Sequence, residues 1–248
     1  MSDMRFNRLS LLTGSQKLRQ LADTKVIVFG IGGVGSWTAE ALVRSGIGHI
    51  TLVDADTVAT SNINRQLPAL ESTVGLPKVE VMAQRLLDIN PQLDITVIQQ
   101  RYTAETAAGY NLGDYDFVID AIDSLADKQL LIVNATAAKT RLFSSMGAAL
   151  KSDPSRIKVA EFWKVTGCPL AAALRRRFKK SDLRPRRKFK CVYSDELLSN
   201  RTDAPADNSG AMTFGKVAVN GALCHITAIF GFTLASLVIN NVAFARED

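Results

Sequence analysis

The sequence predicts an α/β protein. A Rossmann-like, mostly parallel central sheet is extended by antiparallel strands and carries helices on both faces. Three observations lead there. A glycine-rich turn joins a short apolar run to a helix-like run near the N-terminus. Apolar strand-length runs then alternate with helix-period runs as far as Met146, the pattern of right-handed β-α-β crossovers. Beyond that point, 156–164 and 188–194 read as strands without a clean crossover helix between each and the next, so they are expected as antiparallel additions at one sheet edge. With 248 residues, 47% hydrophobic and 22% charged, the chain is long and apolar enough for one globular domain.

The turn organises the rest. Val26, Ile27, Val28 and Phe29 form a buried-strand signal. Gly30, Gly32, Gly33 and Gly35 follow at once and satisfy G-x-G-x-x-G. In such a turn the first glycine allows the tight bend, the second lets backbone approach a phosphate, and the last lets helix pack on strand. The helix from Ser36 to Ser45 would present N–H groups and positive potential to an anion. Gly46 ends it as a left-handed cap. A second strand, 49–53, leads into Asp54, where a carboxylate meets a ribose hydroxyl in a dinucleotide unit. Nicotinamide and flavin enzymes share these features, so the nucleotide must be decided downstream.

The remaining elements follow in order. Residues 1–24 read as an N-terminal arm with one helix from Gly14 to Leu21. Pro77 to Ile89 is a helix, with proline in its first turn and Val79, Met82, Leu86 and Ile89 at helical spacing. Residues 94–99, 117–119 and 142–146 are strands. Thr103 caps a short helix ending by Gly113, and 124–139 is a longer helix. Pro169 to Lys180 is a helix ending in RRRFKK, where cations suit the helix dipole. Residues 199–215 form a long polar loop. From Val217 to Ala245 no residue is charged. Five polar residues and two glycines stand against a membrane span there, and a helix buried against the sheet or at a subunit interface is expected instead.

Composition narrows the class. The N-terminus has no apolar h-region and is not expected to be a secretory signal. Cys168, Cys191 and Cys224 are far apart and form no CxxC, so neither a four-cysteine zinc site nor a disulfide framework is expected, and a reducing cytoplasm fits. Cys168, before Pro169 at a helix start, is the one cysteine placed where a thiolate is favoured. The expectation for each cysteine is nevertheless a small buried hydrophobe. The net charge of +6 is local: residues 175–190 hold ten Lys/Arg and one acid, a balance of +9, leaving −3 elsewhere. Within that run Arg175, Arg176, Arg177, Lys179, Lys180, Arg186, Arg187 and Lys188 are candidate nucleic-acid contacts, with a solvated helix end as the plain alternative. Phe178 and Phe189 could stack on bases or belong to the core.

Three charged residues bear on the nucleotide. Arg65 lies in S-N-I-N-R-Q, Lys78 begins a helix, and Asp123 lies just beyond the fourth strand. All follow carboxyl ends of strands, the rim where open α/β sheets bind ligands. Two cations and a carboxylate suit a triphosphate with Mg²⁺, whereas a pyrophosphate is usually held by backbone N–H groups.

The motifs G-x-G-G-x-G, D-x-D (Asp54, Asp56), S-N-I-N-R-Q (with Asn62 and Arg65), V-G-x-x-K (Lys78) and D-A-I-D-S (Asp123) resemble the adenylating domain shared by ubiquitin-activating enzymes and bacterial activators of sulfur-carrier proteins. The resemblance implies an ATP site. Asp54 would hold the ribose, with Asp56 and Asn62 nearby. Arg65 and Lys78 would contact phosphates, and Asp123 would sit by Mg²⁺ and the α-phosphate. The arm segment R-F-N-R resembles the family's R-Y-N-R, so Arg8 would enter the neighbouring subunit's site in a homodimer. S-M-G-A, D-P-S-R-I-K-V-A, G-C-P-L-A-A-A-L-R-R-R and C-V-Y-S-D-E resemble the tRNA threonylcarbamoyladenosine dehydratases. This implies an ATP-dependent cyclisation on tRNA, with adenylation of a small sulfur-carrier protein as the competing reading. It also divides one domain, 1–248, into the arm (1–24), a nucleotide-binding half (25–150) and a half for tRNA binding and dimerisation (151–248). Such proteins also work beside cysteine desulfurases, but no residue here points to that partner.

Overall fold

The structure, a computed structural model, describes residues 4–202 and 220–245. Seven strands, β1 (Lys25–Phe29), β2 (His49–Val53), β3 (Asp94–Ile98), β4 (Phe117–Asp120), β5 (Arg141–Ser145), β6 (Ile157–Glu161) and β7 (Lys190–Ser194), form one sheet in the order β3-β2-β1-β4-β5-β7-β6. The helices are α1 (Asn7–Asp23), α2 (Gly35–Arg44), α3 (Lys78–Ile89), α4 (Leu125–Ala137), α5 (Pro169–Lys180) and α6 (Cys224–Ala243). From β1 the chain builds outward to β2 and β3, then returns to add β4 on the other side. That reversal opens a crevice between the carboxyl ends of β1 and β4, the place where such sheets take ligands.

β1 is buried on both faces, which is why it reads as a continuous apolar run. Val26 and Val28 face a core with Leu42, Met82, Phe230 and Leu234. Ile27 and Phe29 face a second core with Leu131, Ile132, Leu174 and Phe178. Helices therefore cover both sides, as expected. α6 belongs to the first core through Ile226, Phe230, Leu234 and Val238, four residues apart. Gly231 allows this approach: a Cβ there would lie 2.6 Å from the Val34 carbonyl oxygen. α6 is long and apolar enough to cross a membrane, and half of its apolar window is buried in the fold. The expectation of a helix buried against the body of the protein holds for that half.

Several details differ from the sequence reading. The arm helix begins at Asn7, earlier than Gly14, and Gly14 kinks it with φ 80° and ψ 158°. Between β3 and β4 there is no helix capped by Thr103, only two 3-10 turns, Ala107–Gly109 and Leu112–Asp114. The N–H groups of Gly109, Asp114 and Tyr115 bond three residues back, to Thr106, Asn111 and Leu112, so the chain stays in 3-10 turns. The two late strands are antiparallel to each other at one edge, but β7 joins β5 in parallel, so only β6 opposes the sheet. Most of the polar loop 199–215 lies outside the described residues.

One buried charge ties the helices beside the crevice. Glu40 of α2 accepts from Arg44 Nε at 2.8 Å and from Arg85 of α3 through Nε at 2.8 Å and Nη2 at 3.1 Å. Burial pushes its pKa up, but the arginine hydrogen bonds outweigh burial and hold it below the ordinary glutamate value. A carboxylate lowered in the folded state contributes stability above its unfolded pKa, about 4.3, and loses it as pH falls through the folded value. Glu40→Gln is expected to cost about 1–3 kcal/mol at pH 7. It should also flatten the loss of stability on acidification below about pH 4.3, and urea unfolding at several pH values measures both effects.

Candidate active site

The glycine turn is built by contact with its neighbours. Gly30 has φ 88°, and its N–H donates to Val53 O at 2.8 Å. A Cβ on Gly30 would lie 2.7 Å from Ala121 O, in the turn after β4. A Cβ on Gly35 would lie 1.8 Å from Gly30 O. Gly32 and Gly33 are less crowded, with their nearest neighbours being Gln66 and Thr227. The first turn of α2 thus starts at the crevice and brings the positive end of the helix dipole there. Within it, Ser36 N–H donates to Gly32 O at 3.1 Å and Thr38 N–H to Val34 O at 3.0 Å.

Asp54 is bound into the same turn. Its Oδ2 accepts from Ile31 N–H at 2.6 Å and its Oδ1 from Asp56 N–H at 2.8 Å. Burial raises its pKa, opposed by Lys78 and those two amides. Each carboxylate oxygen has more than one lone-pair direction, so acceptor capacity for a sugar hydroxyl remains.

Lys78 is 5% exposed at the start of α3. Its Nζ is 2.9 Å from Asp56 Oδ2, and its N–H donates to Asp56 O at 3.0 Å. The two residues that the resemblance assigns to a nucleotide are thus paired with each other here. Asn62 is buried, and its Oδ1 accepts from Ala59 N–H at 3.2 Å. It caps the 3-10 turn that carries the chain toward Arg65. Arg65 Nη1 donates to Ser61 O at 2.9 Å and to Asn64 Oδ1 at 2.8 Å. Trp37 Nε1 holds the Arg65 carbonyl at 3.2 Å. Burial lowers the Arg65 pKa, and the charge of Asp123 opposes that. Arg65 therefore feels the charge of Asp123. Arg8 is exposed on α1, whose Leu9 and Leu18 pack near Gly46 at the far end of α2. One chain does not bring Arg8 to this rim.

The sequence reading missed a fully buried ion pair. Asp120 ends β4, and its Oδ2 is 2.9 Å from Lys128 Nζ of α4. The signal was present: in α4 (LADKQLLIVNATA), Lys128 shares a helical face with the buried Leu131 and Ile132. It also missed Lys151, buried beyond β5, whose Nζ donates to Glu196 O at 2.5 Å and whose pKa burial lowers.

The basic run divides. Arg176, Lys179, Lys180, Arg186 and Lys188 are exposed. Arg175 donates to Phe162 O at 3.2 Å and Val165 O at 2.8 Å, and lies 5.9 Å from the Phe162 ring centroid. Arg177 bonds Gln129 Oε1. Arg187 binds the carbonyls of Ala135, Thr136, Ala138 and Thr140, closing the C-terminus of α4. Phe178 and Phe189 are buried among core aromatics, so stacking on bases is ruled out for both. Cys168 and Cys191 are buried, and burial pushes the Cys191 thiol well up. Cys224 is exposed, against the expectation of a buried hydrophobe.

A parallel sheet with its glycine turn, paired carboxylates and arginine at the crevice defines a nucleotide-binding protein of the α/β type. The chain belongs to the ThiF family, whose model matches residues 6–243. It is 41% identical over 244 residues to the tRNA threonylcarbamoyladenosine dehydratase of Escherichia coli (strain K12), covering 94% of this chain and 91% of that protein. It is 37% identical to the protein of the same name from Haemophilus influenzae, over 97% of this chain and 94% of the relative. The crystal structure of the E. coli tRNA N6-threonylcarbamoyladenosine dehydratase in complex with ATP superposes with a TM-score of 0.82 at 39% identity, over 96% of this chain and 93% of that one.

Gly30→Ala tests the crevice. The new methyl group meets Ala121 O and strains a left-handed backbone. ATP affinity measured by calorimetry is expected to fall at least about tenfold, and unchanged affinity would place the nucleotide elsewhere.

Proposed function

We propose that this chain is an ATP-dependent tRNA threonylcarbamoyladenosine dehydratase that cyclises the threonylcarbamoyl group of an anticodon-loop adenosine. The observation that carries this is the likeness to the dehydratases along nearly the whole chain. It includes the half beyond residue 150, and so favours tRNA over a sulfur-carrier protein as substrate.

The chemistry follows from the substrate. A carboxylate is a poor electrophile because its leaving group would be oxide. Its oxygen attacks the α-phosphate of ATP, the bond to pyrophosphate breaks, and an acyl-adenylate forms. The carbamoyl group of the same side chain then attacks the acyl carbon, loses a proton, and expels AMP as the ring closes. Water is removed overall as ATP becomes AMP and pyrophosphate. The second step is intramolecular, so proximity supplies much of its rate.

The chain's task is electrostatic. In this reading the loop of Gly30, Gly32, Gly33 and Gly35 receives phosphate, and Asp54 receives the ribose. Arg65 and Lys78 stabilise charge on the phosphates, Lys78 by exchanging Asp56 for a phosphate oxygen. Losing one such donor typically lowers rate by about 10²–10³. A carboxylate beside phosphate oxygens is a donor set that suits Mg²⁺, so Asp123 is assigned to hold it. When bound, Mg²⁺ neutralises phosphate charge. Arg8 is assigned to a second copy's site. Leu11 and Leu12 of α1, 88% and 73% exposed, are apolar surface that a homodimer would cover. A cytoplasmic location accords with free cysteines and a tRNA substrate.

The reaction is tested by mixing protein, Mg-ATP and bulk tRNA. AMP and pyrophosphate are expected, with loss of one water mass from the modified nucleoside by mass spectrometry. Turnover of ATP without any change in the nucleoside would reject tRNA as substrate.

The exposed cations Arg176, Lys179 and Lys180 are assigned to tRNA phosphates. Replacing all three by Glu is expected to weaken tRNA binding by at least about 10²-fold. The salt slope should become shallower by about 0.7–0.9 for each phosphate that the variant no longer neutralises. ATP binding should be retained. Arg175 and Arg187 are poor choices for this test because they bond the fold itself.

A further inference from the structure

We propose that the buried Asp120–Lys128 pair, with Ser144, is a positioning device that holds the turn at 121–124 so that Asp123 faces the nucleotide's metal ion. The proposal rests on the assignment of Asp123 made above.

Both side chains of the pair are 0% exposed. Buried ion pairs are weak sources of stability, since an apolar pair of the same volume often does as well. The geometry indicates a different task. Ile122 directly precedes Asp123, and the pair engages both of its main-chain polar groups. Its N–H donates to Asp120 Oδ1 at 3.2 Å, and its carbonyl accepts from Lys128 Nζ at 2.9 Å. Ser144 Oγ of β5 donates to Asp120 Oδ2 at 2.7 Å, which leaves the carboxylate no freedom to turn. On the other side of Asp123, Arg101 Nη2 donates to Ser124 Oγ at 3.2 Å while its Nε bonds Asp127 at 2.6 Å. Ala121 N–H donates to Phe29 O at 2.9 Å, and its carbonyl faces Gly30. The residues on either side of Asp123 are thus held, which fixes the main chain from which its carboxylate extends. Groups that orient a metal ligand in this way typically change metal affinity by about 10–100-fold when removed.

The readout is the factor by which Mg²⁺ tightens ATP binding, taken as the ratio of the ATP Kd in EDTA to that in Mg²⁺. It is measured by calorimetry on the full chain. Asp123→Asn is the control and is expected to lose this enhancement. The double variant Asp120→Asn/Lys128→Met removes both buried charges together, so neither is left unpaired. It is expected to melt as a folded protein, to bind ATP in EDTA as the wild type does, and to lose about tenfold of the enhancement. A folded double variant with the full enhancement, beside an Asp123→Asn control without it, overturns the positioning role alone. If Asp123→Asn keeps the full enhancement, the reading of Asp123 falls and this inference with it. Should the double variant not fold, Ser144→Ala, which removes the hydroxyl that fixes the Asp120 carboxylate, decides. A loss of about tenfold supports the device, and the wild-type ratio overturns it.

Discussion

The candidate site depends on one close approach, that of Gly30 to the carbonyl of Ala121. Two chain turns, one leaving β1 and one leaving β4, come near enough that no side chain fits between them. This contact puts the first turn of α2 beside the residues that follow β4. It also brings the loop after β1 beside the turn that carries Asp123. Gly35 extends the same constraint, because helix α2 lies against the turn it starts from.

Charge around the crevice is arranged in two layers. Toward the rim, Asp54, Asp56, the buried Lys78, Arg65 and Asp123 interact with each other or with main-chain amides of the loops that carry them. Beneath, the fully buried Asp120 and Lys128 bond the loop from below. The upper groups satisfy each other while leaving acceptor or donor capacity, as a site for a charged ligand must. Their mutual pairing also keeps the cost of burying charge low in the absence of phosphate.

Much of this was legible in the residues. β1, the glycine turn and β2 were readable because both strands are apolar and short, and because glycine at a left-handed position has few substitutes. Helix α5 was readable from Pro169 at its start and cations at its end. The stretch between β3 and β4 was misread because Thr103 resembles a helix cap, and nothing local says that the following turns remain 3-10. The parallel pairing of β7 with β5 was hidden because strand direction is set by where α5 packs. The basic run looked uniform as charge, yet Arg175 and Arg187 bond carbonyls of other segments, and Phe178 and Phe189 turn inward to the core.

By itself, the amino-acid order determined the local pieces and their sequence along the chain: an apolar strand, a glycine turn, a helix, and an acid ending the next strand. It determined these because propensity, periodicity and backbone freedom act over a few residues. Only the tertiary structure decided which charges meet. Lys78 with Asp56, Arg65 near Asp123, and Lys128 under Asp120 pair residues brought together by strand order and helix packing, and Coulomb forces act on distance in space, not on separation in sequence.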